Sequence, residues 1–461
     1  MRNFRKPLFL LSIVSLIILL ACKKENEEPQ TEFDKINNWI YANMDFYYFW
    51  TDELPGKPET NVNPENFFES LLSNKDRFSF IYDDYEELVN LLNGVTLESG
   101  FEFKLYLEEE GSSNVIMQLS YIKDQSPADD LGLKRGDIIY QINGQQLTTS
   151  NYQSVLGDIN SSYEASYRRF NFDTEEFEDQ GTFNLTPIVF RENPFLLDTV
   201  YEIEGKKIGY LVYTFYSPGQ DGSYDAQMDA IFGEFKAAGV QDFVLDLRFN
   251  SGGSETSMKN LASLMVQNVS STDLVFKKTY NPQVEDLILE DDDLGEDFLN
   301  VKFSNKAENI GSQLTSGTVY VLTSDRSASA SEVTINSLKP FMDVYVVGDT
   351  TVGKDVGSIT INDEDNDAND WAIQPIVVKL VNNNGEDYPN GFNPNLVIED
   401  RFLVLRPLGD INEPLLSGAL AAIGVLPARV DIPRSDLTTP VYSSLDEKEY
   451  NGKFLLEKRL K

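Results

Sequence analysis

The chemistry open to this chain is restricted by the residues that it lacks. The 461-residue sequence contains no histidine and a single cysteine, so the usual imidazole base is absent. A covalent hydrolase built from it needs a hydroxyl nucleophile and a base other than histidine. Three serines alternate with alanines at Ser327, Ser329 and Ser331, and Lys354 follows 25 residues after Ser329. A lysine can act as the base only if its pKa lies well below the usual value of about 10.4.

The elements that must position these residues lie between residues 323 and 358. The pattern predicts a strand end, a turn of small residues, a helix with apolar positions over residues 333–338, and a second, valine-rich strand that finishes at Lys354. The small side chains would let a substrate approach the N-terminus of the helix closely. The valines and glycines around Lys354 would favour a neutral amine.

The motif SASASE, followed at this distance by TVGK, resembles the carboxy-terminal processing proteases, the tail-specific serine peptidases of family S41. The resemblance implies a Ser-Lys dyad in which Ser329 is the nucleophile and Lys354 the base, with Glu332 and Thr351 supporting the site. The structural alternative for the same residues is a helix cap and a surface lysine. A penicillin-binding or β-lactamase enzyme would need a Ser-x-x-Lys pair, and Glu332 occupies that position after Ser329.

A glycine pair follows a predicted buried strand over residues 242–247, in the sequence RFNSGG. Glycines allow a close approach of the backbone, and their amides can donate hydrogen bonds to a developing oxyanion. In the family that the sequence resembles, the matching loop lines the oxyanion hole. The resemblance therefore implies Gly252 as one donor, with Gly253 as its close alternative, and the amide of Ala330 as the second. An ordinary strand-to-helix turn is the structural alternative.

Two positions differ from the pattern of the family. An aspartate that is often found eleven residues after the nucleophile is replaced by Pro340, with Asp343 as a nearby substitute. A glutamine that is often found four residues after the lysine is replaced by Ser358. The group that orients Lys354 is therefore open, and Ser358 is the candidate by position.

The N-terminus predicts export and lipidation. The basic residues MRNFRK precede a mostly apolar run over residues 8–21, which is short for a membrane-spanning helix and typical of a secretory signal. The junction LLAC resembles the lipobox of bacterial lipoproteins, which implies a signal peptide over residues 1–21, lipidation of Cys22 and a tether over residues 22–31. We therefore expect the protein in the cell envelope, lipid-anchored to a bacterial membrane and either periplasmic or surface-exposed.

The composition excludes some partners. The formal net charge is −37, with 75 acidic and 38 basic residues. Such a surface argues against nucleic acid and anionic lipid as ligands, so the acyl chains alone would hold the protein at the membrane. The acidic run at residues 363–367 alternates like a calcium loop but lacks glycine at the sixth position and glutamate at the twelfth, so we expect a solvated loop and no metal or other cofactor.

The length suggests several domains in a multidomain α/β protein. Residues 32–95 have helical spacing and resemble the small helical N-terminal domain of some S41 lipoproteins. The remainder from residue 186 alternates strands and helices, and the resemblance implies a crotonase-like α/β protease core over residues 186–425. A charged C-terminal tail is expected over residues 426–461.

Residues 98–165 change to the period of strands and resemble a PDZ domain, with SPADDLGLKRGDIIYQINGQQL as the most similar stretch. PDZ domains bind a peptide C-terminus by adding it as a strand, and backbone amides hold its carboxylate. The resemblance places this peptide-binding loop at Gly100, Phe101, Glu102 and Phe103. The family pattern has glycine in place of Glu102, and a carboxylate there would repel the ligand. A PDZ-like domain that is only structural is the alternative.

These observations favour a serine endopeptidase that cleaves exported proteins, with PDZ-assisted recognition of C-terminal or unstructured segments. Its partners would be peptides or unfolded proteins. The alternative is a PDZ-containing binding protein with an inactive protease core.

Overall fold

A computed structural model describes residues 30–270, 272–426, 437 and 440–447. The predicted signal peptide, Cys22 and most of the tether lie outside the described residues. In the described part of the chain, no helix has the length and apolar character needed to cross a membrane. Within the same residues, no cluster of acidic or cysteine side chains could hold a metal ion.

The N-terminal segment is helical and packs on the core of the molecule. It contains α1 (Glu32–Tyr47), α2 (Pro64–Glu69), β1 (Phe80–Tyr82) and α3 (Tyr85–Leu92). Helix α2 begins at Pro64, because the Asn63 side chain accepts hydrogen bonds from two backbone amides of the first turn and proline is favoured at the first helical position. Apolar side chains of α1 and α2 belong to the same buried cluster as those of the large central sheet.

The PDZ segment forms an antiparallel sheet in the order β22-β3-β4-β5-β7-β8. Its elements are β3 (Phe101–Leu107), β4 (Val115–Ile122), α4 (Pro127–Asp130), β5 (Ile138–Ile142), β6 (Gln145–Gln146), α5 (Tyr152–Asp158), β7 (Tyr163–Asn171) and β8 (Glu176–Leu185). The edge strand β22 (Tyr442–Ser443) comes from the far end of the chain and is followed by α12 (Ser444–Glu447). The sequence did not predict this structure within the tail.

The central sheet has the order β10-β11-β12-β15-β16-β21, and its strands are parallel except for the antiparallel pair β10 and β11. These strands are β10 (Phe195–Ile203), β11 (Lys206–Tyr213), β12 (Asp242–Asp246), β15 (Thr318–Thr323), β16 (Asp343–Gly348) and β21 (Leu396–Val397). Helices α6 (Ser223–Ala238), α7 (Glu255–Met265), α10 (Ala330–Leu338) and α11 (Pro414–Ile423) connect or follow them. Because neighbouring β12 and β15 are parallel, the loops after both leave the same edge of the sheet.

Smaller sheets complete the core, in the orders β14-β13-β20-β17, β1-β19-β18 and β2-β9. Their further elements are β2 (Val95–Glu98), β9 (Ile188–Arg191), β13 (Leu274–Tyr280), α8 (Pro282–Glu290), α9 (Gly295–Leu299), β14 (Asn300–Lys302), β17 (Val356–Ser358), β18 (Ile361–Asn362), β19 (Ala372–Gln374) and β20 (Ile376–Val381). Short 3-10 turns occur at Thr51–Glu53, Gln220–Gly222 and Gly311–Gln313.

Two strand predictions were wrong in their bounds. The mostly apolar run over residues 371–380 predicts a single strand, but it forms two, β19 and β20, because Pro375 lies between them and has no amide hydrogen to donate to a ladder. The strand expected to finish at Lys354 ends at Gly348, and the lysine lies in the loop between β16 and β17.

A buried ion network joins the PDZ segment to the central sheet. The Arg248 guanidinium, 1% exposed, donates to both carboxylate oxygens of Glu413 at 2.6 and 3.0 Å and also pairs with Asp246. Arg135 of the PDZ segment pairs with Asp400, which also accepts from Arg248. This network fixes the start of the loop that carries the RFNSGG motif.

Candidate active site

Ser329 lies at the turn from β15 into α10, and its backbone is strained. Its φ of 57° and ψ of −117° are not those of any regular structure, and side chains other than glycine adopt a positive φ at a cost of order 1–3 kcal/mol. Among the three serines of the motif, only Ser329 has a positive φ. A strained turn that presents a serine before a helix is the arrangement of a nucleophile elbow.

The hydrogen bonds of the three serines also distinguish them. The Ser327 hydroxyl donates to the carbonyl of Leu247 at 2.8 Å, and the Ser331 hydroxyl donates to the carbonyl of Asn250 at 2.9 Å. The buried Ser329 hydroxyl donates to no acceptor among the residues that the structure describes. Ser327 and Ser331 therefore fasten the turn to the loop after β12, whereas the Ser329 proton has no structural acceptor.

Glu332 holds the Ser329 turn and the Lys354 loop together. Its Oε2 accepts from the backbone amides of Ser329 at 2.9 Å and Lys354 at 2.8 Å. Its Oε1 accepts from the Gly353 amide at 2.6 Å and the Thr351 hydroxyl at 2.5 Å. The backbone nitrogens of Ser329 and Lys354 can therefore be no farther apart than the sum of their distances to that one oxygen. Burial raises the pKa of the Glu332 carboxyl, although these four donors oppose the shift.

The Lys354 side chain is buried beside a cavity. Its residue is 3% exposed, and its Nζ lies 5.3 Å from the centre of the Phe78 ring. The neighbouring Arg77 donates from Nη2 to the carbonyl of Val352 at 3.0 Å, so the N-terminal segment is hydrogen-bonded to the loop that carries the lysine. The cavity is lined in part by Phe78, Phe215, Phe249, Ser251, Ala328 and Lys354.

The glycine pair lies in the same region, but Gly252 already has a hydrogen-bond partner. The Gly252 amide donates to Asn250 Oδ1 at 2.9 Å, and its φ is 121°. Gly253 has a φ of 135°, and a Cβ on it would lie 2.0 Å from the carbonyl oxygen of Tyr216, so only glycine fits there. Ala330 is buried and is the first residue of α10. The oxyanion roles of Gly252 or Gly253 and of Ala330 stay predictions.

Three segments of the chain match known family models. Residues 35–80 match the peptidase S41 N-terminal domain, residues 118–162 match the PDZ domain, and residues 207–398 match peptidase family S41. The last segment contains both Ser329 and Lys354. The chain belongs to peptidase family S41. The family and the fold that the sequence predicted are therefore confirmed.

Individual relatives of this S41 peptidase support the same assignment. The chain is 23% identical over 403 residues to the carboxy-terminal processing protease CtpA of Bacillus subtilis (strain 168), a match that covers 86% of the chain and 75% of that protein. It is 24% identical over 336 residues to a protein of Staphylococcus aureus (strain COL) described as a CtpA-like serine protease, covering 73% of the chain and 59% of that protein. A crystal structure from Bacteroides fragilis NCTC 9343, described as an S41 protease, superposes with a TM-score of 0.69 at 25% identity, covering 84% of the chain and 97% of that structure. The family and these relatives identify the chain as a serine peptidase.

The remaining predicted support residues of the S41 peptidase lie in different places. The Thr351 hydroxyl binds Glu332 and accepts from the Phe392 amide at 2.8 Å, so it supports the lysine loop. The buried Ser358 hydroxyl accepts from Gln374 Nε2 at 3.2 Å. Asp343 is not a substitute for the missing aspartate, because it is exposed at the first residue of β16, the end of the strand remote from Ser329.

Of the four residues of the predicted peptide-binding loop, Gly100 directly precedes strand β3, and Phe101, Glu102 and Phe103 are the first three residues of that strand. Phe101 and Phe103 pack in the PDZ core, and Gly100 has a φ of 90° where a Cβ would collide with Ser126. Glu102 is 1% exposed and pairs with Lys123 at 2.9 Å. The contribution of Phe78 to the cavity beside Lys354 was missed, because nothing in the local sequence around residue 78 indicates a contact with residue 354.

Proposed function

We propose that this S41 peptidase is a serine endopeptidase with a Ser-Lys dyad, in which Ser329 is the nucleophile and Lys354 the general base. The observation that carries the proposal is that one carboxylate oxygen of Glu332 accepts from the backbone amides of both residues. Residues that are 25 positions apart in the sequence are thereby held next to each other, and Ala328, the neighbour of Ser329, lines the same cavity as Lys354.

The reaction would begin with the neutral amine of Lys354 taking the proton from Ser329 Oγ as that oxygen attacks the peptide carbonyl carbon. Backbone amides of Ala330 and of the 252–253 glycine pair would stabilise the oxyanion, which for Gly252 requires the amide to leave Asn250 Oδ1. The lysine ammonium then gives its proton to the departing amine, leaving an acyl ester on Ser329. A water molecule, deprotonated by the same lysine, hydrolyses the ester and restores the serine.

The surroundings of Lys354 support its role as a base. The residue is 3% exposed, and the aromatic rings of Phe78, Phe215 and Phe249 line the cavity beside it, so little water reaches the amine. The strained backbone of Ser329 supports the role of the nucleophile, because strain of this kind concentrates at functional sites.

Single substitutions test the dyad. Ser329→Ala, Lys354→Ala and Lys354→Arg should each abolish cleavage of an unfolded protein such as casein without changing the melting temperature by more than a few degrees. Lys354→Arg is informative because a guanidinium stays protonated and cannot accept the serine proton. Near-normal turnover by this variant would refute the assignment.

Ser327→Ala is the matched control for the nucleophile. It removes a hydroxyl from the same turn and loses two buried hydrogen bonds, one to the Leu247 carbonyl and one from the Ser324 amide, so it should cost about 1–3 kcal/mol of stability and leave cleavage measurable. If Ser327→Ala abolishes cleavage and Ser329→Ala does not, the roles of the two serines are wrong. A folded wild-type protein that binds peptides but cleaves none would support the alternative of an inactive core.

The proposed substrates are exported, unstructured proteins, and the proposed location is the cell envelope. Both proposals rest on the sequence motif LLAC, which ends at Cys22, and on the PDZ domain. The relative from Bacillus subtilis is described as a carboxy-terminal processing protease, which supports cleavage near the C-termini of proteins.

A further inference from the structure

The groove of the PDZ domain already holds a strand of this chain. Strand β22 pairs antiparallel with β3, with Tyr442 opposite Leu105 and Ser443 opposite Lys104, and the Val441 amide donates to the Leu105 carbonyl at 2.7 Å. In PDZ domains the bound peptide extends the sheet at an exposed edge strand of this kind. Residues 441–444 therefore occupy the position of a peptide ligand.

The side chains of this segment fit the groove. The Tyr442 ring lies 5.9 Å from the ring of Phe103 on β3 and 6.2 Å from the ring of Tyr152, the first residue of α5. Aromatic pairs at these separations contribute about 0.5–1.5 kcal/mol each beyond the area that they bury. The strand and the helix thus both contact the same aromatic side chain.

The end of the segment meets the predicted carboxylate loop with a hydroxyl instead of a carboxylate. Ser444 Oγ accepts from the Phe103 amide at 2.8 Å and donates to Glu102 Oε2 at 2.6 Å. A hydroxyl can accept and donate at once, whereas a carboxylate can only accept. A ligand carboxylate at this point would face the Glu102 carboxylate without a proton between them.

The charge around Glu102 also disfavours an anionic ligand. Lys123, the cation paired with Glu102, pairs as well with Glu192 at 2.8 Å and with Glu98. Burial lowers the pKa of Lys123, but the three carboxylates outweigh burial and raise it well above its usual value. One ammonium therefore pairs with three carboxylates, of which those of Glu102 and Glu192 are buried, and a fourth carboxylate from a ligand would add to a local excess of negative charge.

The same segment reaches the catalytic cavity. Leu445 follows Ser444 directly and lines the cavity that Lys354 also lines. Glu192 and Thr214, which are joined by a hydrogen bond of 2.7 Å, line that cavity as well. The groove and the cavity are therefore connected both along residues 444–445 and through the Lys123 cluster.

We propose that residues 441–445 are a resident ligand of the PDZ groove, and that Glu102 makes the groove select an internal, hydroxyl-bearing segment and reject a free C-terminal carboxylate. A substrate segment must displace this resident segment before it can pair with β3. The proposal concerns peptide binding, and it rests on the proposed peptidase activity only for its effect on cleavage.

Competition binding tests the proposal in the mature chain carrying Ser329→Ala, which removes the proposed nucleophile. The probe is a fluorescent peptide with the sequence of residues 437–447 and an amidated end, and its binding is measured by anisotropy. Tyr442→Ala and Ser444→Ala weaken the resident segment, so each should raise the affinity for the probe about tenfold. Ser161→Ala, an exposed serine of the same domain, is the matched control and should leave the affinity unchanged.

A second probe tests the role of Glu102. A peptide that ends at Ser444 with a free carboxylate should bind the Ser444→Ala chain at least tenfold more weakly than the same peptide with an amide end. Glu102→Gln, added to that chain, should reduce this preference to about twofold, whereas Glu164→Gln on the exposed face of β7 should not. Thermal melts confirm that each variant is folded, and the Ser444→Ala result stands even if Glu102→Gln fails to fold.

Unchanged affinity in both Tyr442→Ala and Ser444→Ala would overturn the resident ligand, and tighter binding of the free carboxylate would overturn the selectivity. Both measurements are independent of catalysis. Their failure would leave the dyad test untouched, and failure of the dyad test would leave them interpretable. In the active protein, Ser444→Ala should also raise the rate of casein cleavage severalfold.

Discussion

Replacing Glu332 with glutamine should disturb the positions of Ser329 and Lys354 while leaving both of their side chains in place. The carboxylate accepts four hydrogen bonds, two on each oxygen, and three of the four donors are backbone amides. Glutamine keeps the size of the side chain but replaces one acceptor oxygen by an NH₂ group, which can only donate.

The cost depends on which oxygen is replaced. If the NH₂ group takes the place of Oε2, the amides of both Ser329 and Lys354 lose their acceptor. If it takes the place of Oε1, the Thr351 hydroxyl can turn and accept from it, and only the Gly353 amide is left without an acceptor. The second orientation is the better one, and one buried, unsatisfied amide costs about 1–3 kcal/mol.

We therefore expect Glu332→Gln to lower the free energy of unfolding by about 1–3 kcal/mol. Glu332→Ala, which leaves three amides without acceptors, should cost roughly three times as much. Movement of the Lys354 loop by about 1 Å would also lower the cleavage rate by about 10²-fold.

Urea unfolding followed by tryptophan fluorescence and casein cleavage measure the two effects. Glu234→Gln, an exposed glutamate on α6, is the control and should change neither. If Glu332→Gln keeps both the wild-type urea midpoint and the wild-type rate, then the shared carboxylate does not hold the site together.

Four further outcomes are expected, three from the structure and one from the sequence of the N-terminus. Burial raises the pKa of Glu332 in the folded protein above its value in the unfolded chain. The protonated carboxyl therefore stabilises the fold fully below the unfolded pKa, and this stabilisation is lost as the pH rises from the unfolded to the folded pKa. Over that pH interval, the urea midpoint of the wild type should fall relative to that of Glu332→Gln. Arg248→Leu leaves buried carboxylates unpaired and should cost about 3–5 kcal/mol in urea unfolding, and a loss below 1 kcal/mol would contradict the network. Gly253→Ala should abolish casein cleavage because its Cβ would meet Tyr216, whereas Gly157→Ala, with open space around it, should not. Cys22→Ser should abolish fatty-acid labelling and move the protein out of the membrane fraction, and unchanged labelling would refute lipidation.

Residue type and spacing were sufficient to find the candidate dyad, because the absence of histidine leaves few bases and Lys354 stands at a recognisable distance from Ser329. They could not show why Ser329 differs from its neighbours. That difference depends on the backbone of Ser329 and on carbonyls of Leu247 and Asn250, about 80 residues earlier in the chain. A local pattern contains no information about such contacts.

The misplaced strand ends have a different origin. Pro375 was visible in the sequence and indicates a break, but the apolar run on both sides concealed it. The valine-rich strand does stop at Gly348, whose φ is 129° and whose missing Cβ leaves room for the Thr323 carbonyl. The pairing of β22 with β3 could not be predicted, because two strand residues near the end of the chain carry too weak a pattern.

The contacts between the N-terminal segment and the loop that carries Lys354 join parts of the chain that are far apart in sequence. The hydrogen bond between Arg77 and the Val352 carbonyl closes a loop of 275 residues, and Phe78 reaches Lys354 over a similar span. Contacts so distant in sequence form late in folding, because the entropy of closing the loop must be overcome first. A chain emerging from the ribosome has its N-terminal helices long before it has residue 354. Lys354, the proposed general base, therefore acquires its aromatic cover only after most of the polypeptide has been synthesised.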